Sequence, residues 1–297
     1  MKLIECVPNV SEGRDPAALE RLVGAVKSSP GVELLDWSAD PDHNRAVFTY
    51  AGEPEAMLAA TQSLCREAFA VIDMRKHEGA HPRMGAVDVI PFVPLRGVTS
   101  DEAVALARRL GEWIGEQGVP VYYYQEAATR SERESLPDVR RGEYEGLAAK
   151  LATPEGAPDA GPAIFNERSG ASIVGVRFPL IAFNVNLATN DLSIARRIAE
   201  AVRFSSGGYR YVRAMGVALE GKGQVQVSTD ILQYEKTPIH RVLETVRSEA
   251  ARYGVAVVGC ELIGLAPLDA LAESVRHYMQ IHDFSSSQII ESRLLEV

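Results

Sequence analysis

The sequence predicts an α/β protein, an α+β sandwich of two similar subdomains. Each is expected to be a mixed β-sheet with helices on one face, the two sheets facing each other around a ligand cleft. Three observations carry that expectation. The 297 residues suffice for two domains at roughly 100–200 residues apiece. Apolar, β-branched runs alternate with segments of helical periodicity along the chain. The order of elements in the first half returns in the second, after a stretch with no periodicity.

The elements follow in order. Residues 3–10 form an apolar run closed by Ser11, Glu12 and Gly13. Asp15-Pro16 supplies a helix cap with proline in the first turn. Leu19, Leu22, Val23 and Val26 then carry the i, i+3, i+4, i+7 spacing to about Ser28. Residues 32–36 and 46–50 read as strands flanking a polar turn, and Glu53-Pro54 opens a helix to about Met74. A strand at 86–93, a helix at 99–117 and a strand at 119–124 complete the first half. From about 153 to 172, Pro, Gly and Ala dominate, the mark of a loop or linker. At that length it is functional or connects domains. The second half reads strand 180–187, helix 191–204, strand 212–219, a turn at 220–223, strand 224–232, helix 238–253, strand 255–263 and helix 267–281. The expected domains are 1–178 and 179–297, joining near Phe178-Pro179.

Charge and composition narrow the function. A formal net charge of −9 argues against nucleic acid or an anionic membrane as partner. No run approaches the ~18 uncharged apolar residues of a membrane span, and Glu5 breaks the N-terminal apolar run too early for a signal peptide. Cys6, Cys65 and Cys260 are odd in number and lack ligand spacing, which fits reduced thiols in the cytoplasm. Apolar outer strands could support a homodimer, although no residue pattern specifies the contact.

The densest chemistry lies in KHEGAHPRMGAVD, residues 76–88. His77-Glu78-Gly79-Ala80-His81 matches the zinc pattern H-E-x-x-H, which needs a helix through both histidines. Gly79 weakens such a helix and Pro82 disfavours it at His81. The same residues could instead form a polar loop whose histidines only hydrogen-bond backbone. A third reading makes a histidine the general acid or base of a binding loop. Pro82 would then stiffen the chain, Arg83 would offer a planar fork to a carboxylate, and Gly85 would let substrate approach the main chain. GVALEGK at 216–222 imitates a phosphate loop, but Gly223 replaces the Ser/Thr and a strand follows, so hairpin chemistry fits better.

HPRMGAVDVIPFVPLRGV at 81–98 closely resembles the signature of the glutamate formiminotransferase (formimidoyltransferase) family. IECVPNVSEG at 4–13, HNRAVFTYAG at 43–52, RRGEYEGL at 140–147, LIAFNVNL at 180–187, QVSTDILQYE at 226–235 and VVGCELIGLAPL at 257–268 extend the resemblance over essentially the whole chain. The resemblance implies transfer of a formimino group from N-formimino-L-glutamate to tetrahydrofolate, a late step of histidine degradation. It implies two α/β subdomains with folate in a tunnel between them, and a stand-alone form without the cyclodeaminase domain that the animal enzymes carry. It places the family's proton-donating histidine on His81 and its folate-binding stretch on Gly161, Pro162, Ala163, Ile164, Phe165, Asn166, Glu167, Arg168, Ser169 and Gly170.

From the chemistry, the N5 nitrogen of tetrahydrofolate attacks the amidine carbon, and the tetrahedral intermediate expels glutamate's amine only once that amine is protonated. One positioned acid near neutral pKa is the minimum requirement, a place for His81, and no metal is required. Both substrates are anions, so Arg45, Arg83 and Arg177 are candidates to bind them. Asn9, Ser11, Asn44 and Asp88 sit at strand ends or turns near the inferred cleft. Formyl transfer on the same fold, a zinc hydrolase and a non-catalytic folate-binding module are the alternatives.

Overall fold

The computed structural model describes residues 2–219 and 221–295 and divides into two compact units, Met1–Arg177 and Phe178–Val297. The first unit runs β1 (Leu3–Cys6), β2 (Asn9–Val10), α1 (Pro16–Lys27), β3 (Val32–Asp40), β4 (Arg45–Gly52), α2 (Pro54–Val71), β5 (Val87–Arg96), α3 (Ser100–Glu116), β6 (Val121–Gln125), α4 (Leu136–Val139), α5 (Leu147–Leu151) and β7 (Ser172–Val176). Local chemistry starts these helices. Asp15 accepts from Ala17 N at 2.9 Å ahead of Pro16. Thr99 and Glu102 form a reciprocal capping box at α3.

The sheet order is β3-β4-(β1/β2)-β5-β7-β6. The apolar run at 3–10 is two strands rather than one, because Pro8 has no N–H to give to the ladder. Antiparallel pairing covers β1 to β5, whereas β5-β7-β6 is parallel. Strand β7 was not foreseen. It is a five-residue run containing Gly175, where a Cβ would lie 2.3 Å from the Tyr124 ring. The 153–172 stretch therefore stays within the first unit and delivers β7 between β5 and β6.

Alternation in these strands splits the core in two. Val121, Tyr123, Val174, Val176, Ile90 and Phe92 pack with α1, α2 and α3. Tyr122, Tyr124, Ile173 and Val89 point the other way and meet Val139, Leu147 and Leu151 of α4 and α5. This smaller cluster carries Arg140, just past α4, back toward the start of β5.

The second unit runs β8 (Ile181–Leu187), α6 (Leu192–Val202), β9 (Val212–Leu219), β10 (Gln224–Ile231), α7 (Ile239–Ala251), β11 (Val257–Ile263), α8 (Leu268–Met279) and α9 (Ile290–Leu295). Its sheet order is β11-β8-β10-β9, and every pair is antiparallel, a correction to the mixed sheet expected. Each crossover helix skips one strand, so parallel strands never become neighbours. The same split arrangement, ferredoxin-like in connectivity, recurs in β1 to β5 of the first unit. Ile181, Phe183, Val185 and Leu187 bury under α6 and α7, while the carboxamides of Asn186 and Gln226 bond Glu261 on the opposite face. The turn expected at 220–223 includes Glu220, outside the described residues; Gly221 and Gly223 beside it both have positive φ. Among the described residues no helix is long and apolar enough to cross a membrane.

Candidate active site

The site is built where three loops of the first unit meet at the ends of β2, β4 and β5. No helix runs through His77 and His81; a 3-10 turn ends at Lys76, and residues 77–86 have no regular helical structure. The two-histidine face of a zinc helix therefore does not form. Among the described residues, no group of three or more His, Cys, Asp or Glu side chains could hold a metal ion.

Asn44 organises the loops. It adopts the left-handed region at φ 48°, which Asn tolerates better than most residues. Its Oδ1 accepts from Gly13 N at 3.0 Å and its Nδ2 donates to Glu78 O at 3.0 Å. Its own carbonyl accepts from His77 Nε2 at 2.9 Å. His77 Nδ1 is then the acceptor for Arg83 Nε at 3.2 Å, so both ring nitrogens serve the scaffold. Gly85 is needed because a Cβ would lie 2.3 Å from the Ala171 carbonyl. The close approach there is by the protein's own backbone, not by a ligand.

A small recess is lined by Val10, Ser11, His43, Asn44, Arg45, His77, His81, Arg83 and Asp88. Ser11 Oγ donates to Gly85 O at 2.8 Å and is buried. Asp88 is buried too: Oδ1 accepts from Met84 N at 2.7 Å and Oδ2 pairs with Arg140. Burial pushes its pKa up, while Arg140, the Met84 amide and Arg45 pull it back. Arg83 does not present a free fork. Its guanidinium grips Glu145 at 2.6 and 2.9 Å, with Glu143 at 3.5 Å.

At the centre, Arg45 Nη1 lies 2.6 Å from His81 Nε2. Arginine only donates, so Nε2 is the unprotonated nitrogen and the imidazole is neutral. Burial, then the charges of Arg45 and Arg140, hold the His81 pKa down at about 4. The edge of the His43 ring faces it at 6.1 Å between centroids, and His43 Nδ1 pairs with Asp40 at 2.6 Å.

The remaining candidates lie elsewhere. Asn9 Nδ2 bonds Val7 O at 3.2 Å and does not line the recess. The 161–170 loop does not line it either. Its end is stitched beside it: Ala86 N donates to Ser169 O at 2.9 Å, and Gly170 bridges Gly85. Asn166 holds the turn through Gly118 O and Ser169 N, and Phe165 leans on Tyr144. Gly161 has a positive φ, Ile164 is exposed, and Glu167 O accepts from Tyr144 OH at 2.6 Å. Arg168 alone borders an adjoining recess, with Ser11, Glu12, Asp73, Lys76 and His77. Arg140 was missed in the sequence. It lies 52 residues from Asp88, and no local pattern connects them.

Similarity to known proteins agrees with this layout. Residues 3–177 match the formiminotransferase domain, N-terminal subdomain, and residues 182–295 match the formiminotransferase domain. The chain belongs to the formiminotransferase family. It is 46% identical over 296 residues to a glutamate formimidoyltransferase of Streptococcus pyogenes, covering 99% of both chains. It is 43% identical to one of Thermoplasma acidophilum, covering 99% of this chain and 98% of that one. The formimidoyltransferase-cyclodeaminase of Rattus norvegicus is 44% identical over 93% of this chain, which spans 52% of that longer protein.

The low His81 pKa has a consequence for this formiminotransferase-family chain. An unfolded histidine titrates near 6.5, so between about 4 and 6.5 the unfolded state binds the proton that the folded state refuses. Stability is therefore expected to fall as pH is lowered through that window. Both tryptophans, Trp37 and Trp113, lie in the first unit, so their fluorescence in urea reports it. A His81→Gln variant should lose stability less steeply than wild type over the same window; identical slopes would contradict the assignment.

Proposed function

We propose that the chain transfers the formimino group from N-formimino-L-glutamate to tetrahydrofolate, yielding 5-formiminotetrahydrofolate and L-glutamate, as in histidine degradation. Family membership supports the reaction. The observation that carries the mechanism is a neutral His81, with Nε2 as acceptor, at the head of a recess rich in guanidinium groups.

His81 acts first as a base and then as an acid. As the N5–C bond forms, the N5 ammonium gives its proton to His81 Nε2. His81 returns that proton to the α-nitrogen of glutamate, and the C–N bond to that nitrogen breaks. The proton is conserved: the unprotonated resting imidazole serves the first half of the step and the transient imidazolium the second. This refines the expectation of an acid near neutral pKa, since the acid is loaded during the reaction. No step requires a metal.

Asn44, His77, Arg83 and Asp88 position the loop, while Arg45 and Arg140 attract the anionic substrates. The 161–170 loop, with Arg168 at its edge, is the folate-binding stretch in this reading, and residues 1–178 and 179–297 are the two subdomains. An assay following loss of formiminoglutamate with tetrahydrofolate tests it. Turnover that needs both substrates is expected; activity with 5-formyltetrahydrofolate and glutamate alone would favour formyl transfer.

A further inference from the structure

Arg45 stands on the atom that the chemistry needs. Its Nη1 occupies the lone pair of His81 Nε2, and in that pose its Nε is buried with no acceptor among the described residues. Arg140, whose charge also bears on His81, leaves its Nε equally without an acceptor while its Nη2 pairs with Asp88. The two guanidiniums share one buried carboxylate. The two guanidiniums and Asp88 together carry one net positive charge, and the exposed Asp40 carboxylate is the other anion that bears on Arg45.

We propose that Arg45 and Arg140 form a carboxylate-binding site whose occupation by the α-carboxylate of the glutamyl substrate draws Arg45 off His81 and frees Nε2 for proton transfer. This rests on the functional reading above and assigns a positioning role to Arg45. The substrate's α-carboxylate is one carbon from the nitrogen that leaves. A planar fork engaging that carboxylate therefore sets the leaving nitrogen near the imidazole. The same contact neutralises the excess charge, so His81 takes up a proton more readily once substrate is seated. Substrate binding thus switches on the base it will use, and a bare chain keeps its proton shuttle capped.

The groups facing His81 are consistent with one anion as the switch. The turn before β4 presents His43 with its Asp40 partner, β4 presents Arg45, the end of α4 presents Arg140, and β5 presents Asp88. His77 and Arg83 on the same loop are bonded to each other, His77 also to Asn44 O and Arg83 also to Glu145. None of these offers Arg45 a carboxylate within hydrogen-bond reach.

Imidazole ¹⁵N NMR of histidine-labelled protein reads the state of His81 directly, the signal being assigned by its loss in His81→Gln. In the free chain His81 is expected to remain the neutral Nδ1–H tautomer to below pH 5. With tetrahydrofolate and saturating L-glutamate its titration midpoint is expected to rise by about 1 pH unit or more. Arg45→Gln is expected to raise the midpoint without glutamate, abolish the further rise, and weaken L-glutamate by about tenfold or more in calorimetry. If L-glutamate binds wild type and the midpoint stays put, or if Arg45→Gln binds it as tightly, the inference is wrong. Should the variant not fold, the wild-type comparison alone decides. Turnover measured in parallel separates the two readings: turnover with an unmoved midpoint sinks only the switch, and absence of both turnover and glutamate binding sinks both.

Discussion

His81→Ala is expected to lower the turnover number of formimino transfer by about 10²–10⁴-fold, the usual worth of one positioned acid–base group. Tetrahydrofolate affinity is expected to change little. The argument is one of proton accounting. Without an acceptor at Nε2 the attacking nitrogen keeps its proton, and the intermediate reverts rather than expelling glutamate. Stopped-time turnover assays and fluorescence titration of tetrahydrofolate check the two halves separately. Unchanged turnover would remove His81 from the mechanism, whereas a matching loss of folate affinity would recast it as a binding residue. His77→Ala makes a useful contrast, because both nitrogens of His77 are bonded within the scaffold and its loss acts through loop geometry.

Asp88→Ala is expected to cost about 3–5 kcal/mol of stability, the penalty for removing one partner of a buried ion pair. Asp88 is almost fully buried, and the deletion strands Arg140 beside Arg45 with no carboxylate between them. It also releases Met84 N, one of the bonds that close the 81–88 loop. Activity should fall with stability, because the same bond fixes the path from His81 into β5. Urea unfolding followed by tryptophan fluorescence gives the cost. A loss below about 1 kcal/mol would mean that the pair is no stronger than a surface salt bridge.

Much of this fold is readable locally. The helices α1 and α3 begin at the caps Asp15 and Thr99 with Glu102, because a cap acts within one turn of the chain it starts, and α2 begins at Pro54, whose fixed φ suits a first turn. The repeated order of strands and helices was also legible, since period-2 and period-3.6 patterns are properties of short windows. Strand β7 was not, because five residues interrupted by a glycine carry no period; its neighbours β5 and β6 define it. The antiparallel second sheet escaped for a related reason. A sequence orders strands in time, and only packing says which pairs become neighbours.

The site divides in the same way. His81, Arg45, Asn44, Ser11, Arg83 and Asp88 were candidates by residue type and position, and one recess gathers them. Their duties came from partners far along the chain. Arg83 is engaged by Glu145, 62 residues away, and Arg140 reaches Asp88 across 52. The sequence by itself determined the α/β class, the two similar halves, the ends of the main helices and the loop in which the candidate residues are densest. Only the tertiary structure decided that Arg83 is internally paired, that Arg140 belongs to the site, and that His81 rests neutral under Arg45. Periodicity and capping are written in neighbouring residues, whereas a side chain's charge state depends on burial and on charges that only folding brings within a few ångströms.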